Sequence, residues 1–579
     1  MIEKRWIYKP QPNPATVDEL VGSINLVPEL ATLLAQRGIA SFDEAKAFFR
    51  PDLAHLHNPF LMADMEKAVN RLTDALDKQE KILVYGDYDV DGTTSVATFY
   101  GFLKKHIYHN AEDCPLEFYI PDRYNEGYGV SQQGVEYAAN NGFGLIVSLD
   151  CGIKSKDKIQ WAKDHGVDFI VCDHHRPDEG DLPPAVAVLD PKRSDCPYPF
   201  KELTGCGVGF KLLQALCQRQ GISEDLLLPY LDLVVTSISC DIVPIVGENR
   251  ILAYYGLLQL TNNPRTGLKA LMKSAAIEGK MDITRVVFGL GPRINAAGRI
   301  KHAYDAVNLL LSENEDEAFD FASVIAKHNT ERKGLDSTIT EEALEVINAD
   351  PMLINAKSTV LFNEKWHKGV IGIVASRCIE RFHRPTIILT ESHGYAAGSA
   401  RSVPGFDVYE AIDACSEHLI QFGGHTFAAG LTLEINQIEN FRRKFEEVVS
   451  ATILPEQLSP MIEVDLELSL KDVTEKFHRI MVQMAPFGPQ NMTPVFVSKK
   501  VRLQGSPIKM KEKHLKINVL QEYATGEKSP VFTCVGFGMV EDFYEQLSQH
   551  PECSICYTID INEWQGKKSL QLMLKDIKF

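Results

Sequence analysis

The stretch KILVYGDYDVDGTTSVAT, residues 81–98, joins a short apolar run to a loop of three alternating aspartates and a glycine: Asp87, Asp89, Asp91 and Gly92. The apolar run predicts a buried strand, and the acidic loop fits the first half of an EF-hand calcium site. An EF-hand also needs an entering helix and a bidentate glutamate at its twelfth position. Here a strand enters the loop and Thr98 holds the twelfth position. The sequence therefore excludes an EF-hand.

The composition is that of an ordinary globular chain with several domains. The chain has 579 residues, of which 45% are hydrophobic and 24% charged, and this length exceeds what one hydrophobic core supports. No run approaches the ~18 apolar residues of a membrane-spanning helix, so we expect no membrane association. The twelve scattered cysteines and an N-terminus without a signal-peptide pattern predict reduced thiols in a cytoplasm.

The net charge of −18 argues against a protein that is basic over its whole surface. It permits a local basic groove for nucleic acid, because phosphate contacts depend on nearby charge. A site that gathers carboxylates around divalent cations also makes the formal charge more negative than the charge of the loaded protein.

Strand-like runs alternate with helical patterns between about residues 66 and 250. The runs are KILVYGD, LEFYIPD, FGLIVSLD, VDFIVCD and AVAVLDP. Alternation on this scale predicts an α/β domain built on a mainly parallel sheet.

The rest of the chain divides by composition and periodicity. A charged segment without proline predicts one long helix or a broken pair, a second α/β pattern follows it, and the C-terminal part shows short alternating strands typical of a small β-barrel. The predicted domains are an N-terminal helical segment 1–60, an α/β domain 61–313, a connecting helix 314–350, a second α/β domain 351–455 and a barrel 456–579.

Acids follow the predicted strands repeatedly. Asp150 follows LIVSL, Asp173-His174-His175 follows FIVC, and Asp190 follows VAVL, while Asp241 ends a helical stretch. A single aspartate at such a position is more often a helix cap or a turn former. However, the carboxyl ends of parallel strands share one edge of a sheet, so these side chains are expected to converge.

Converging carboxylates repel each other unless cations neutralise them. Aspartate with some histidine, and without cysteine, favours Mn²⁺ or Mg²⁺. Two such metals hydrolyse phosphate esters by activating a water and by stabilising the attacking and leaving oxygens. The acids therefore predict a two-metal phosphoesterase site.

Four motifs in this order, DYDVDG, LDCG, DHH and SISCDIVP, resemble those of the DHH phosphoesterase superfamily. The later motifs GPRINAAGRI, WHKGVIGIVASR, GSARS and GGHTFAAG narrow the resemblance to the RecJ single-strand-specific exonucleases. It covers about residues 65–579. The resemblance implies an α/β fold in which a DHH-type parallel-sheet domain is joined by a long helix to a DHHA1-type domain, with a C-terminal OB-type barrel.

The resemblance also implies roles for individual residues. Asp89 and Asp91 become metal ligands, Asp150 a bridging carboxylate of the catalytic centre, and His174 and Asp241 further metal ligands. His175 would face the scissile phosphate, and Asp173 would orient an imidazole rather than bind metal. For Asp87, metal ligation and hydrogen bonding within the loop remain equally open.

Other residues in the family motifs would bind the substrate. An arginine fork recognises phosphate in a bidentate manner, and by resemblance Arg123, Ser399 and Arg401 contact a terminal 5′ phosphate. An exposed arginine without that context is usually solvated or paired with an acid. Gly424 would let the backbone approach a phosphate while His425 donates to it, although a tight turn explains the same glycine. Arg293 and His367 also belong to family motifs, and the resemblance implies that they too contact the substrate.

The predicted barrel carries a basic run, SKKVRLQGSPIKMKEKHLK. Lys509, Lys511 and Lys513 would share one face if they alternate along a strand. The aromatic side chains that could stack on bases are Phe532, Phe537, Tyr557 and Trp564. This combination predicts binding of single-stranded DNA, although a lysine run is normally only a solvated surface.

The leading hypothesis is a Mn²⁺- or Mg²⁺-dependent exonuclease that degrades single-stranded DNA from the 5′ end to mononucleotides, in DNA repair and recombination. Polarity, DNA preference and the expected partners, a single-strand-binding protein and a RecQ-type helicase, come from the resemblance alone. We expect a monomer. One rival is a small-substrate DHH enzyme, which needs no basic barrel. A second is a replication scaffold that binds strands without cutting, which the full set of acids disfavours.

Overall fold

The computed structural model describes residues 3–178 and 180–579, without the side chain of Trp564. The chain forms two compact units. The parallel-sheet unit comprises Phe49–Arg332 and Ala485–Met492, and the barrel unit comprises the described residues up to Phe48, Lys333–Met484 and Thr493–Phe579. Within the described residues, no helix is both long enough and apolar enough to cross a membrane.

The N-terminal segment is mostly helical, as predicted, but it begins with a strand. Its elements are β1 (Arg5–Tyr8), α1 (Pro14–Ile24), α2 (Pro28–Ala35) and α3 (Phe42–Phe49). Strand β1 pairs in parallel with Met461–Val464, and the indole of Trp6 donates a 2.7 Å hydrogen bond to the Asp576 carboxylate. These contacts place the start of the chain with the barrel.

The parallel-sheet unit contains the sheet that the apolar runs predicted. Its strands are β2 (Ile82–Gly86), β3 (Leu116–Tyr119), β4 (Leu145–Leu149), β5 (Asp168–Cys172) and β6 (Ala187–Leu189), in the order β3-β2-β4-β5-β6. All neighbouring pairs are parallel. Strands β2 and β4 are buried along their whole length, which explains why their sequences are continuously apolar rather than alternating.

Helices surround this sheet. They are α4 (Met65–Asp77), α5 (Val90–Phe102), α6 (Gln132–Asn140), α7 (Lys156–Asp164), α8 (Gly205–Gln220), α9 (Leu231–Cys240), α10 (Gly247–Asn262), α11 (Thr266–Ser274), α12 (Ile283–Arg285), α13 (Gly291–Ile300) and α14 (Tyr304–Leu311). Helices α5, α8 and α9 are buried on nearly every face, as expected of central helices. The segment Ala485–Met492 joins this unit through Pro489, whose carbonyl accepts the Ile245 N–H at 2.8 Å.

The predicted connecting helix is one continuous helix, α15 (Glu315–Ala349). The division between the two units falls within it, after Arg332. Its charged faces and the absence of proline allow 35 residues to form without a break.

The second α/β domain has a mixed sheet. Its elements are α16 (Pro351–Asn355), β7 (Thr359–Phe362), α17 (Ile371–Phe382), β8 (Thr386–Ser392), β9 (Tyr395–Arg401), α18 (Val408–Asp413), β10 (Gln421–His425), β11 (Ala428–Leu433) and α19 (Ile438–Thr452). The strand order is β10-β11-β9-β8-β7. Only β7 and β8 are parallel; the other pairs are antiparallel.

The C-terminal part forms the predicted barrel. Its elements are β12 (Met461–Val464), β13 (Leu466–Glu467), α20 (Glu475–Met481), β14 (Phe496–Leu503), β15 (Ile508–Met510), β16 (His514–Gln521), β17 (Phe532–Gly536), α21 (Val540–Gln549), β18 (Glu552–Trp564) and β19 (Lys567–Lys578). Pairing runs from β14 through β18, β19, β17 and β16 and returns to β14. A closed ring of five strands is the architecture of an OB-type barrel.

Candidate metal centre and substrate-binding residues

The acidic loop leaves β2 and enters α5. Asp89 caps this helix, because its Oδ1 accepts the Gly92 N–H at 3.0 Å. A Cβ at Gly92 would lie 2.3 Å from the Asp87 carbonyl oxygen, so the tight loop requires glycine there. Asp89 and Gly92 thus stabilise the backbone of the loop, and the side chain of Asp87 is fully buried in it.

Asp91 is fixed by hydrogen bonds from two distant helices. Its Oδ2 accepts the Gly205 N–H at 2.7 Å, and its Oδ1 accepts the Cys206 N–H at 2.9 Å and the Ser237 hydroxyl at 2.7 Å. The free N–H groups and the positive end of α8 favour a carboxylate at this point. Asp91 therefore has one fixed orientation.

Asp150 follows β4 with a left-handed backbone, φ 62°, and α8 packs against it. A Cβ at Gly205 would lie 2.5 Å from the Asp150 Cβ. This close packing, which only glycine allows, brings the first turn of α8 against the Asp150 side chain.

His174 lies where three carboxylates meet. Its Nε2 is 3.2 Å from Asp150 Oδ1, 3.6 Å from Asp241 Oδ2 and 3.7 Å from Asp91 Oδ2. The ring is buried, and neither of its nitrogens has a hydrogen-bond partner in the described part of the chain. A buried imidazole without partners is expected to bind something else, since an unsatisfied buried polar group is destabilising.

Among the described residues, three groups of acids and histidines have ligand atoms within 4.8 Å of one another: Asp87 with Asp89 and Asp150; Asp91 with His174 and Asp241; and Asp150 with His174 and His175. Asp150 belongs to two of these groups, as a bridging carboxylate would. Oxygen and imidazole donors without a thiolate suit Mn²⁺ or Mg²⁺.

The charges of the cluster are unbalanced. Burial, and then the charges of neighbouring carboxylates, raise the pKa values of four aspartates above their usual range: Asp87, Asp89, Asp150 and Asp241. Burial also lowers the pKa of His174, so this ring contributes little positive charge. Bound divalent cations would reverse the shifts of the carboxylates. The residues present therefore fit a two-cation centre.

Asp173 and His175 form a separate hydrogen-bonded pair. Asp173 Oδ1 accepts from His175 Nδ1 at 2.7 Å and from the His174 N–H at 2.7 Å. Burial opposes the charged forms, but the hydrogen bond and the mutual charge outweigh it, lowering the pKa of Asp173 to about 2 and raising the pKa of His175 to about 9. Asp173 thus has the geometry of a group that orients His175.

Tyr128 contacts this pair, and the sequence did not single it out. Its hydroxyl lies 2.9 Å from His175 Nε2, although most of its ring is exposed. It stands between Gly127 and Gly129, both with positive φ, in the loop after β3. A tyrosine held between two glycines is the signal that could have identified it.

Arg123 lies beside the acidic loop. Its guanidinium is 4.8 Å from the ring centre of Tyr88, the residue between Asp87 and Asp89, and its charge opposes the rise in the Asp87 pKa. The cation–π contact holds the side chain near the cluster.

Arg293 has a second cation as its neighbour. Its Nη1 donates to the Gly289 carbonyl at 2.6 Å, and burial, followed by the charge of Arg332, lowers its pKa. Two guanidinium groups that repel each other are typical of an anion site. Arg332 lies in the charged helix α15, where nothing in the sequence distinguishes it from the other cations of that helix.

In the barrel unit, Ser399 and Arg401 lie on β9. Arg401 Nη1 donates to the Ser399 hydroxyl at 3.0 Å. A Cβ at Gly372 would lie 2.8 Å from Arg401 Nη2 and 2.9 Å from Ser399 Oγ, so both side chains pack against the first turn of α17. A helix N-terminus beside an arginine and a hydroxyl is suited to binding phosphate.

The remaining family residues surround the same sheet. His367 precedes α17, and its Nδ1 accepts the Gly369 N–H at 3.1 Å. His425 is exposed and pairs with Ala428, which also faces Arg401 in the register. Gly424 has a packing reason, because a Cβ there would lie 2.4 Å from the Ala428 carbonyl oxygen.

The sequence predicted that the barrel lysines alternate along one strand, and this prediction is wrong. Strand β15 ends at Met510, and Lys511 has φ 48° in the turn that follows, because the basic run contains a hairpin turn. Lys509 lies 4.2 Å over the ring of Tyr544, and Lys513 closes the turn before β16.

Of the aromatic candidates, only one is shown to face solvent. Phe537 is exposed, whereas Phe532 and Tyr557 are buried in the barrel. The side chain of Trp564 lies outside the described part of the chain. Phe537 also contacts the ring of His514 edge-on at 5.1 Å between centroids.

Comparison with known proteins agrees with this architecture. Three family models match: the N-terminal domain of the DHH family at residues 81–238, the DHHA1 domain at 355–451 and the RecJ OB domain at 464–576. A crystal structure of RecJ from Thermus thermophilus in complex with Mn²⁺ superposes with a TM-score of 0.83 at 26% identity, covering 99% of this chain and 79% of that chain.

Curated relatives extend over nearly the whole chain. The single-stranded-DNA-specific exonuclease RecJ of Bacillus subtilis is 38% identical over 576 residues, covering 99% of this chain and 70% of that protein. The protein of the same name from Escherichia coli is 32% identical over 573 residues, covering 95% of this chain and 96% of that protein. The chain belongs to the RecJ family of single-stranded-DNA-specific exonucleases.

Proposed function

We propose that this protein is a divalent-metal-dependent exonuclease that hydrolyses single-stranded DNA from the 5′ end to mononucleotides, in DNA repair and recombination. One observation carries the proposal: two groups of potential ligands, Asp87 with Asp89 and Asp150, and Asp150 with His174 and His175, share one buried carboxylate. The relatives named single-stranded-DNA-specific exonucleases support the choice of substrate.

In this proposal, five residues would hold the cations, and both cations would share Asp150: Asp89, Asp91, Asp150, His174 and Asp241. Bound there, the two cations would acidify a water and stabilise charge on the phosphate oxygens. The hydrogen bonds to Asp91 keep one carboxylate oriented without rearrangement, which is the preorganisation that such a centre requires. Asp87 is either a further ligand or a neighbour that shapes the loop.

His175 is assigned the proton transfer. Its Nδ1 is bonded to Asp173 and its Nε2 contacts the Tyr128 hydroxyl at 2.9 Å, so Nε2 is the nitrogen that would face the scissile phosphate, beside Tyr128. In the metal-free protein, Asp173 outweighs the effect of burial and raises the pKa of His175 to about 9, which favours a ring that can donate a proton. As water attacks phosphorus and the bond from phosphorus to the 3′ oxygen breaks, Nε2–H would donate its proton to the leaving 3′ oxygen. The attacking water would release one proton to solvent, and the ring would regain one from solvent before the next turnover. The products are a mononucleotide and a shortened strand.

The cationic residues are assigned to phosphates of the strand. By the family resemblance, Arg123 of the parallel-sheet unit is assigned to the terminal 5′ phosphate, and so are Ser399 and Arg401 of the barrel unit. Gly424, His425, Arg293 and His367 are assigned to phosphates of the strand. The contact of Ser399 and Arg401 with the first turn of α17 supports an anion site. The low pKa of Arg293, caused by burial and by Arg332, supports a second.

The OB-type barrel is assigned to the strand beyond the active site, through Lys509, Lys511 and Lys513 and by stacking on Phe537. We further propose that the protein acts as a monomer in the cytoplasm, with a single-strand-binding protein and a RecQ-type helicase as partners. The family resemblance alone supports these partners.

The test compares substrates and one variant. With Mn²⁺, the protein should shorten a 3′-labelled single strand, leave blunt duplex and pyrophosphate intact, and release the label of a 5′-labelled strand first as a mononucleotide. Asp150→Ala should abolish cleavage, whereas Asp157→Ala, which removes an exposed carboxylate of the same unit, should not. Preferred hydrolysis of pyrophosphate, or no cleavage at all, would contradict the proposal.

A further inference from the structure

Ile242 is an unusual residue next to the metal centre. It directly follows Asp241, the residue that caps the C-terminus of α9. Its backbone is left-handed, with φ 60°, and its side chain is 65% exposed. An apolar side chain therefore stands in solvent beside a proposed metal ligand.

The backbone conformation is ordinary at this position, but the residue type is not. Helices commonly end with a left-handed residue just after the cap, and glycine or asparagine usually fills the position because a Cβ is unfavourable there. A β-branched side chain is the least suited to this conformation. Among the described non-glycine residues with positive φ, Ile242 alone is β-branched.

Within the described residues, the structure shows no interaction that compensates for the strained backbone of Ile242. A side chain left mostly in water gains little from burial, and isoleucine provides no hydrogen bond to the end of the helix. Strained residues that persist without a structural gain are found at ligand-binding positions. The position of Ile242 is consistent with such a role.

Asp241, the residue before Ile242, is one of the partly exposed residues of the proposed metal centre, together with Asp89 and His175. The side chain of Asp241 is 28% exposed, whereas those of Asp91 and Asp150 are 1% and 3% exposed. A phosphate that approaches the cluster at Asp241 would bring its nucleoside near the following residue, Ile242.

We propose that Ile242 is a substrate-contacting residue, whose side chain packs against the base or sugar of a nucleotide next to the scissile phosphate. This inference rests on the proposed function, because it requires a nucleic-acid strand at the metal centre. An aliphatic contact accepts any base, since every base offers an apolar face, and it therefore suits an exonuclease that must accept all sequences.

The first experiment separates substrate contact from a structural role. Ile242→Gly keeps the left-handed backbone accessible, so its midpoint of thermal unfolding should not fall below that of the wild type. Its KM for a single strand should rise roughly ten-fold with kcat nearly unchanged, and Ile242→Leu should restore the wild-type KM. The matched control is Ala276→Gly, which relieves another left-handed residue of the same unit and should leave KM unchanged. A lower unfolding midpoint, or an unchanged KM, in Ile242→Gly would overturn the inference.

The second experiment locates the contact. Single strands carrying one abasic sugar at the first, second or third position from the 5′ end are compared in the wild type and Ile242→Gly. At one position the variant's KM penalty should disappear, because the missing base and the missing side chain remove the same contact. If the KM penalty persists at every position, Ile242 does not contact a base. If, in addition, Ile242→Leu fails to restore KM, the inference as a whole is overturned. If the wild type cuts no single strand, the proposed function itself fails, which is a different result.

Discussion

Gly205→Ala perturbs Asp150, the proposed bridging carboxylate, without removing any proposed ligand. The new Cβ would lie 2.5 Å from the Asp150 Cβ and 2.9 Å from Asp150 Oδ1. The nearest neighbours of the new Cβ thus include the Cα and Cβ atoms of Asp150, and these atoms have little freedom to move.

The expected size of the effect follows from these distances. The atoms must separate by about 0.9 Å to reach an ordinary contact distance. Overpacking of a buried contact destabilises a protein by about 1–3 kcal/mol, and a displacement of roughly 1 Å at a catalytic group lowers the rate by about 100-fold. We therefore expect a modest loss of stability and a large loss of activity.

The assay measures kcat on a 3′-labelled single strand with Mn²⁺, together with the free energy of unfolding in urea. Gly207→Ala is the matched control, because it lies in the same turn of α8 and its Cβ would meet no atom closer than 3.4 Å. The control should keep wild-type activity. If Gly205→Ala is as active as Gly207→Ala, the Asp150 side chain does not occupy a restricted position and the reasoning is refuted.

Three further substitutions test the pair Asp173–His175 and the phosphate contacts. Burial lowers the pKa of His175, whereas Asp173 outweighs burial and raises it to about 9. Asp173→Asn should therefore lower the pKa of His175 in the metal-free protein, and an unchanged NMR titration of His175 would contradict this. The pKa of Asp173 is about 2 in the folded protein and about 4 in the unfolded chain. The ionised carboxylate therefore stabilises the folded state fully only above about pH 4. The stability difference between wild type and Asp173→Asn should therefore vanish as the pH falls from about 4 towards 2. Tyr128→Phe should lower kcat about five-fold, through the lost hydrogen bond to His175, with KM unchanged; a rise in KM alone would assign Tyr128 to substrate binding instead. Arg123→Ala should weaken the preference for 5′-phosphorylated over 5′-hydroxyl strands while calorimetry shows unchanged Mn²⁺ affinity, and an unchanged preference would return Arg123 to an ordinary surface role.

Much of the fold follows from local sequence patterns. The five apolar runs became the five strands of the parallel sheet, because a strand buried on both faces must be apolar along its length. The charged segment without proline became one helix. The expected convergence of the acids had a similar basis, since each follows a strand or a helix whose end could be located by pattern, whereas their roles as metal ligands came from the family resemblance.

Contacts between distant residues account for what the sequence analysis missed. Tyr128 and His175 are 47 residues apart, and no periodicity links them. The prediction that the barrel lysines alternate along one strand failed for a more local reason. Lys511 and Glu512 form a left-handed turn, and these residue types seldom form such turns.

The sequence by itself determined the class of fold, the order of the domains and which acids stand at the ends of strands, because these depend on short-range periodicity and on motifs. Only the tertiary structure decided the orientation of the side chains. It fixed Asp91 through two helices, left the ring nitrogens of His174 without a hydrogen bond among the described residues, and placed Ile242 in solvent beside Asp241. Such features depend on packing between segments far apart in the chain, which local patterns do not encode.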